Sequence, residues 1–378
     1  MDFQLTQEQV LIQDMARQFS DNELAPHAEK WDREKFLDRG VYKKAAELGF
    51  GGIYTSEDFG GSSLSRLDSA LVFEQLARGD VSHTAMLTIH NMATWMIDRY
   101  GSDATRAKYV PPLTAMEHIA SYCLTEPGTG SDAASLSTKA VKEGDHYVLN
   151  GTKTFISGGG WSDIYVVMAR TSDDGARGIS AFIIEKDTPG LSFGPNERKM
   201  GWNAQPTAQV IMEDCQVPAA NLLGGVGVGF KIAMSGLDGG RINIGVCSLG
   251  GAQAALDASV EYTKEREQFG KVISAFQNTQ FKLADMATEL EASRLMLYRA
   301  ADMLDKKLPD ASAACAMAKR FATDLCSKIA NDALQLHGGY GYLSEYGIER
   351  IVRDLRVHQI LEGTNEIMRV IIARNILR

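Results

Sequence analysis

The texture of this chain changes twice, and that restricts its fold more than any single motif. Up to about residue 118, apolar residues recur at helical spacing. Val10, Leu11, Met15 and Phe19 form one series, and further helical patterns cover 41–48, 65–77 and 82–100. From Ile119 to about residue 226, short β-rich runs take over at 120–124, 146–149, 163–169, 179–185 and 209–212, broken by Gly, Asp, Asn and Pro. After Gly229, helical spacing returns over 230–234, 244–264, 276–304, 311–337 and 365–377. Strands this close together predict an antiparallel barrel or sandwich and not βαβ units. Long helices with short links predict a bundle. At 378 residues the chain is also too long for one ordinary core. The expected fold is therefore α+β multidomain: a helical domain at 1–118, a middle β domain at 119–226 and a helical bundle at 227–378.

Local signals refine this outline. Thr6-Gln7-Glu8-Gln9 reads as a capping box, with Leu5 and Val10 placed to form a hydrophobic staple. Pro26 predicts a break or bend, and Pro111-Pro112 a connection. Asn150-Gly151 between two β-rich runs predicts a hairpin turn.

Composition excludes several function classes. The chain has 39 Lys and Arg against 48 Asp and Glu, a formal charge of −9, so its overall field does not favour nucleic acid. The five cysteines lack CxxC spacing, which argues against a disulfide framework or a zinc site and for a reducing compartment. The seven histidines show no metal-binding spacing, so no metal is expected. No apolar run approaches the roughly 18 residues of a membrane span. The start, MDFQLTQEQV, lacks the features of a signal or transit peptide. A bacterial cytoplasmic chain, or a processed mitochondrial one, is expected.

Taken one at a time, the candidate sites are ambiguous. Gly128-Thr129-Gly130-Ser131-Asp132-Ala133 fits a loose GxGxxA after a strand, but the hairpin-rich stretch that follows is not a dinucleotide-binding βαβ unit. The segment reads either as a Gly-rich turn or as a loop gripping a cofactor with backbone N–H groups and the Thr125 and Ser131 hydroxyls. Glu362 precedes Gly363 and a helix capped by Thr364, where an acid is expected to be solvated, though bases are often loop-borne. Gln335-Leu336-His337-Gly338-Gly339-Tyr340-Gly341 reads as a helix end and turn, or as a close backbone approach to a ligand. Arg266 and Arg241 are surface charges by base rate, or phosphate contacts. No Walker A sequence or Ser/His/Asp order stands out.

In order along the chain, five blocks resemble the acyl-CoA dehydrogenase family: Tyr122–Asp132 (YCLTEPGTGSD), Asn150–Ser157 (NGTKTFIS), Arg266–Gly270 (REQFG), Gln335–Gly341 (QLHGGYG) and Arg353–Arg369 (RDLRVHQILEGTNEIMR). The resemblance runs from end to end. It implies an N-terminal helical domain, a middle β domain and a C-terminal four-helix domain. It also implies bound FAD, oxidation of an acyl-CoA to its 2,3-enoyl thioester, an electron-transferring flavoprotein as acceptor, and a homotetramer. Glu362 then matches the α-proton base, with its own backbone N–H and a flavin ribityl hydroxyl polarising the thioester carbonyl. Tyr122, Leu124, Thr125, Gly130 and Ser131 match the flavin loop, with Ser131 also near the pantetheine arm. Phe155 and Ser157 match the pair that stacks on and hydrogen-bonds the flavin; many relatives carry Trp where Phe155 stands. Arg266, Gln268, Phe269, Gln335 and Gly339 match residues reaching FAD across a subunit interface. Thr364 and Glu366 match positions near the adenosine. Asp238, Arg241 and Gly363 match the substrate side.

Some relatives carry their base on the helix that includes Arg241; the matching residue here is Gly240, which cannot serve. Leu361 replaces the Tyr common before the base, and Trp202–Thr207 replaces a more usual Arg-Ser stretch. These departures resemble the short branched-chain branch of the family, with isobutyryl-CoA as the expected substrate. Butyryl-CoA or 2-methylbutyryl-CoA is the alternative. An acyl-CoA or nitroalkane oxidase, or a scaffold without catalysis, is the remaining possibility.

Overall fold

The structure is a computed structural model that describes residues 4–378. Six helices come first: α1 (Gln7–Phe19), α2 (Ala28–Glu34), α3 (Arg39–Glu47), α4 (Arg66–Gly79), α5 (Val81–Tyr100) and α6 (Asp103–Thr114). The capping box forms as expected: Thr6 Oγ1 accepts from Gln9 N at 3.2 Å, and Gln9 Oε1 accepts from Thr6 N at 3.1 Å. Pro26 lies in the turn between a π-helical segment and α2. Pro111 and Pro112 do not form a connection but lie inside α6. Ser102 caps that helix by accepting from Thr105 N at 3.2 Å, and the prolines stand in its last turn, where each removes one i→i−4 bond and the helix ends two residues later.

Eight strands follow: β1 (Ala120–Cys123), β2 (Lys139–Glu143), β3 (His146–Ser157), β4 (Ile164–Arg170), β5 (Ile179–Glu185), β6 (Leu191–Phe193), β7 (Thr207–Pro218) and β8 (Leu222–Leu223). They form one sheet in the order β6-β7-β3-β2-β4-β5-β8, with β1 on β4. Pairing is antiparallel except for β1 with β4 and a single β2–β4 contact, which are parallel. β4 is buried on both faces. Ile164, Val166 and Met168 pack with α5, α6 and β1, while Tyr165, Val167 and Ala169 face a second core with β3 and β7. That explains its continuous apolar run.

Asn150-Gly151 is not a hairpin turn. β3 runs straight through it, and the register against β7 shifts between Leu149 and Gly151. Gly151 has φ +150°, and a Cβ there would lie 2.4 Å from Thr138 Oγ1. The dipeptide therefore makes a bulge where a neighbouring strand presses close. The turn lies earlier, at Gly144-Asp145, between the paired residues Glu143 and His146.

The last block holds α7 (Gly229–Glu265), the short hairpin strands β9 (Glu267–Gln268) and β10 (Lys271–Val272), α8 (Gln277–Asp305), α9 (Ala311–His337), α10 (Ile348–Arg356) and α11 (Asn365–Ile376). Helical spacing alone gives no sign of α10 and divides α7 into 230–234 and 244–264. α7 is one helix of 37 residues, unbroken through Gly236, Gly239, Gly240 and Gly245. Each glycine weakens a helix by about 1 kcal/mol relative to Ala, so a break was the natural expectation. Its packing partners hold it together instead. One core joins the first helices to this block, and Glu74 of α4 binds Arg294 Nε at 2.9 Å and Tyr298 Oη at 2.6 Å on α8. Among the described residues no helix is long and apolar enough to cross a membrane.

A buried ion pair fixes the loop after β1. Lys153 Nζ lies 2.8 Å from Glu126 Oε1 and 3.1 Å from Leu124 O, and both charged side chains are buried. Glu126 also accepts from Ser137 N, Ser137 Oγ and Thr138 N at 2.7–2.9 Å. Burial opposes its ionisation, but Lys153 and these donors outweigh that and hold its pKa well below the usual carboxylate range. Lys153→Met leaves an unpaired buried carboxylate and should destabilise the protein by about 3–5 kcal/mol. Denaturant unfolding of the variant beside the wild type measures the difference.

Candidate active site

The centre of the site is the contact between the turn before α11 and the middle of α7. Glu362 and Gly363 both have positive φ, +55° and +86°. Two left-handed residues in succession turn the chain inward and aim the Glu362 side chain at α7. It meets Gly240, where a Cβ would lie 2.3 Å from Oε2; Met92 Sδ of α5 lies 3.2 Å from the same point. Only a residue with no side chain leaves this space. Glu362 is therefore not the solvated acid expected of its loop position. Its Oε2 is buried with no hydrogen-bond partner.

The charge environment follows from that geometry. Burial raises the Glu362 pKa to about 7, while the cations of Arg241 and Lys319 pull it back down. Arg241 is buried and pairs with Asp238 one turn earlier on α7, and Asp238 also accepts from Ser312 Oγ at 2.8 Å. Tyr122 of β1 faces the same space. Its hydroxyl is buried without a partner, and burial, then the Glu362 charge, raises its pKa well above the ordinary value. Tyr54 completes this side, with its hydroxyl 3.3 Å from Asn243 Nδ2 and its ring stacked under the Arg66 guanidinium. The Glu362 N–H has no hydrogen-bond partner among the described residues.

The remaining residues singled out from sequence fall into three groups. Leu124, Thr125, Gly130 and Ser131 lie on the loop after β1. Thr125 O accepts from Thr154 N at 2.9 Å, and Gly128 and Gly130 border open space. Phe155 and Ser157 end β3. Phe155 is 66% exposed at φ +58°, an aromatic ring held out of the core. The second group, Arg266, Gln268, Phe269, Gln335 and Gly339, lies on the β9–β10 hairpin and at the end of α9. All five are exposed, Phe269 to 93%, and Arg266 stands 5.4 Å over the Tyr340 ring, so the hairpin and the turn after α9 adjoin. The third group surrounds the start of α11. Thr364 caps the helix by accepting from Ile367 N at 3.3 Å, and Glu366 is exposed. His337 is buried, stacked on Tyr262 and bonded through Nδ1 to Ala333 O, and the helix ends at Gly338.

These surfaces suit a large planar cofactor with an anionic arm. They offer an outward aromatic ring, a glycine loop without side chains to fill it, an unpartnered buried phenol and a separate Arg and Gln set. Sequence reasoning missed Lys319, His358, Tyr54 and Asn243. His358 joins three segments: Nδ1 lies 2.7 Å from Ser248 Oγ on α7, and Nε2 accepts from Trp202 Nε1 at 3.2 Å. Burial, then the Lys319 charge, lowers its pKa to about 3, so it is neutral. No periodic or motif signal could have found these residues, because the partners are far apart in the chain.

The Glu362 pKa of about 7 lies above the ordinary 4.5, so the folded state prefers the protonated acid and loses stability as pH rises between those values. Glu362→Gln has no such loss. It should be more stable than the wild type at pH 8, by about 3 kcal/mol at most, with the gap closing towards pH 4.5. Thermal unfolding at both pH values tests this.

Three family models match consecutive stretches of the chain: acyl-CoA dehydrogenase N-terminal domain at 6–117, middle domain at 121–215 and C-terminal domain at 227–377. The mitochondrial isobutyryl-CoA dehydrogenase of Dictyostelium discoideum is 58% identical over 98% of this chain and 90% of its own length. That of Bos taurus is 56% identical over 99% and 90%. Among solved structures, butyryl-CoA dehydrogenase from Megasphaera elsdenii superposes with a TM-score of 0.97, 40% identity and full coverage of both chains. With a family match from one end to the other, the chain belongs to the acyl-CoA dehydrogenases, oxidoreductases acting on acyl-CoA thioesters.

Proposed function

We propose that this protein is an FAD-dependent dehydrogenase of short branched acyl-CoA, with isobutyryl-CoA its substrate, methacrylyl-CoA its product and Glu362 its α-proton base. The observation that carries the base assignment is the placement of Glu362 Oε2 against Gly240, buried and without a hydrogen-bond partner. A base in water at pKa 4.5 is too weak to take an α-proton efficiently. Burial brings it to about 7, near working pH, and acyl-CoA would exclude further water. The unpartnered Glu362 N–H fits an oxyanion donor to the thioester carbonyl, which acidifies the α-carbon. The charges of Arg241 and Lys319 act on the carboxylate itself and limit the rise of its pKa.

FAD, when bound, supplies the hydride acceptor. Tyr122, Leu124, Thr125, Gly130, Ser131, Phe155 and Ser157 would hold its ring and pyrophosphate. The buried Lys153–Glu126 pair keeps that loop against β3. Arg266, Gln268, Phe269, Gln335 and Gly339 are exposed on a separate surface, which supports their reaching the FAD of a second subunit in a homotetramer. Thr364 and Glu366 would lie near the adenosine. Asp238, Arg241, Gly363 and Ser131 would line the substrate side. An electron-transferring flavoprotein would take the electrons away.

The likeness at 56–58% identity supports isobutyryl-CoA over butyryl-CoA, for which the likeness is 40%. One methyl group is worth roughly 1–3 kcal/mol of discrimination, or about 10–200-fold in kcat/KM. Anaerobic mixing with isobutyryl-, butyryl-, 2-methylbutyryl-, isovaleryl- and octanoyl-CoA, followed by flavin absorbance, tests the proposal. Isobutyryl-CoA should bleach the flavin fastest. Faster bleaching by a straight chain would discard the branched-chain reading, and a protein carrying no flavin would discard the enzyme.

A further inference from the structure

Lys319 is an unexpected cation. It stands in the middle of α9, fully buried, on an alanine-rich face that packs into the shared helical core. Its ammonium donates to Gly363 O at 2.9 Å and to Asn365 Oδ1 at 2.9 Å. Asn365 is held in turn: its Nδ2 donates to Thr323 Oγ1 at 2.9 Å and to Asp324 Oδ1 at 2.7 Å. The two acceptors of Lys319 flank Thr364 and follow directly on Glu362. Gly363 O points inward because the two residues before Thr364 have positive φ, and a non-glycine residue such as Glu362 does not hold that conformation without support.

We propose that Lys319 is a positioning residue: its buried ammonium clamps the left-handed Glu362-Gly363 turn and sets a positive charge beside the base. This rests on Glu362 being the base. A neutral hydrogen-bond donor could supply the clamp but not the charge, and a mobile surface cation could supply neither in this interior. The charged and titratable groups facing the pair come from every packed element. Arg241 of α7, Tyr122 of β1 and Tyr54 face Glu362; Asp324 of α9, Glu366 of α11 and Arg241 act on Lys319; and His358, before the turn, is neutral. Arg241 is already engaged by Asp238, so its charge is partly neutralised at short range. Among the charges facing Glu362, that of Lys319 is the one also bonded to the turn that carries it.

The test isolates proton transfer from hydride transfer. Reduced holoenzyme is mixed with isobutyryl-CoA in D₂O. The base removes the α-proton to give the enolate, exchanges it with solvent and returns a deuteron, with no net redox change. Deuterium uptake is read by mass spectrometry across pD for the wild type, Lys319→Met, Lys319→Arg and Glu362→Gln. Lys319→Met should move the acid limb upward by about one unit and slow exchange near neutrality roughly tenfold, with FAD still bound. Lys319→Arg keeps the charge, so its limb should stay in place while its altered reach slows exchange. An unmoved limb in Lys319→Met overturns the proposal. If that variant does not fold, Lys319→Arg decides, because a wild-type rate and limb there would show that the clamp geometry is immaterial. Exchange that persists in Glu362→Gln would instead overturn the base assignment, whatever Lys319 does.

Discussion

The close approach of a carboxylate to bare backbone organises this molecule. Glu362 reaches α7 only because Gly240 has no side chain, and it is aimed there only because two residues before α11 are left-handed. From that contact follow the burial of the carboxylate, its raised pKa, and the need for neighbouring cations to limit the rise. α7 is long enough to touch the β core at one end, the base in its middle and the hairpin that carries Arg266 at the other. A break at its glycines would separate these three.

Around the contact, buried polar groups tie the three blocks together. His358 joins α7, the Trp202 stretch and the segment leading to Glu362, and it is neutral, so no charge is stranded. Lys153 and Glu126 act likewise in the β layer, where the loop after β1 would otherwise have little apolar material to pack. Such pairs contribute little net stability when intact, but removing one partner is costly, so they favour one loop geometry over others. A surface that must meet a large ligand needs that kind of definition.

Much of the fold was legible in the sequence, because helix and strand periods differ and each block keeps one period for tens of residues. The capping box, the strand β4 and the cap at Thr364 were readable because their physics is local. Failures came where tertiary contacts override local preference. Gly239 and Gly240 looked like a break in α7 but are close-approach positions. Asn150-Gly151 carried a strong hairpin signal yet makes a bulge beside Thr138, and Pro111-Pro112 sit inside a helix end. At the site, Glu362 was located by family resemblance, while its burial was not foreseeable from an exposed-looking turn. Lys319 was invisible, since a lone lysine on an alanine-rich helix carries no pattern that marks it as buried.

The central claim is that the Glu362 carboxylate, and no other group, removes the α-proton. Rapid anaerobic reduction of the bound flavin by isobutyryl-CoA, measured against pH in the wild type and in Glu362→Gln, tests it most directly. The account predicts a wild-type rate that falls about tenfold per pH unit on the acid side of its limb. It predicts a variant that keeps its FAD and shows almost no reduction at any pH. A Glu362→Gln protein whose flavin is still reduced at a rate close to that of the wild type would contradict it.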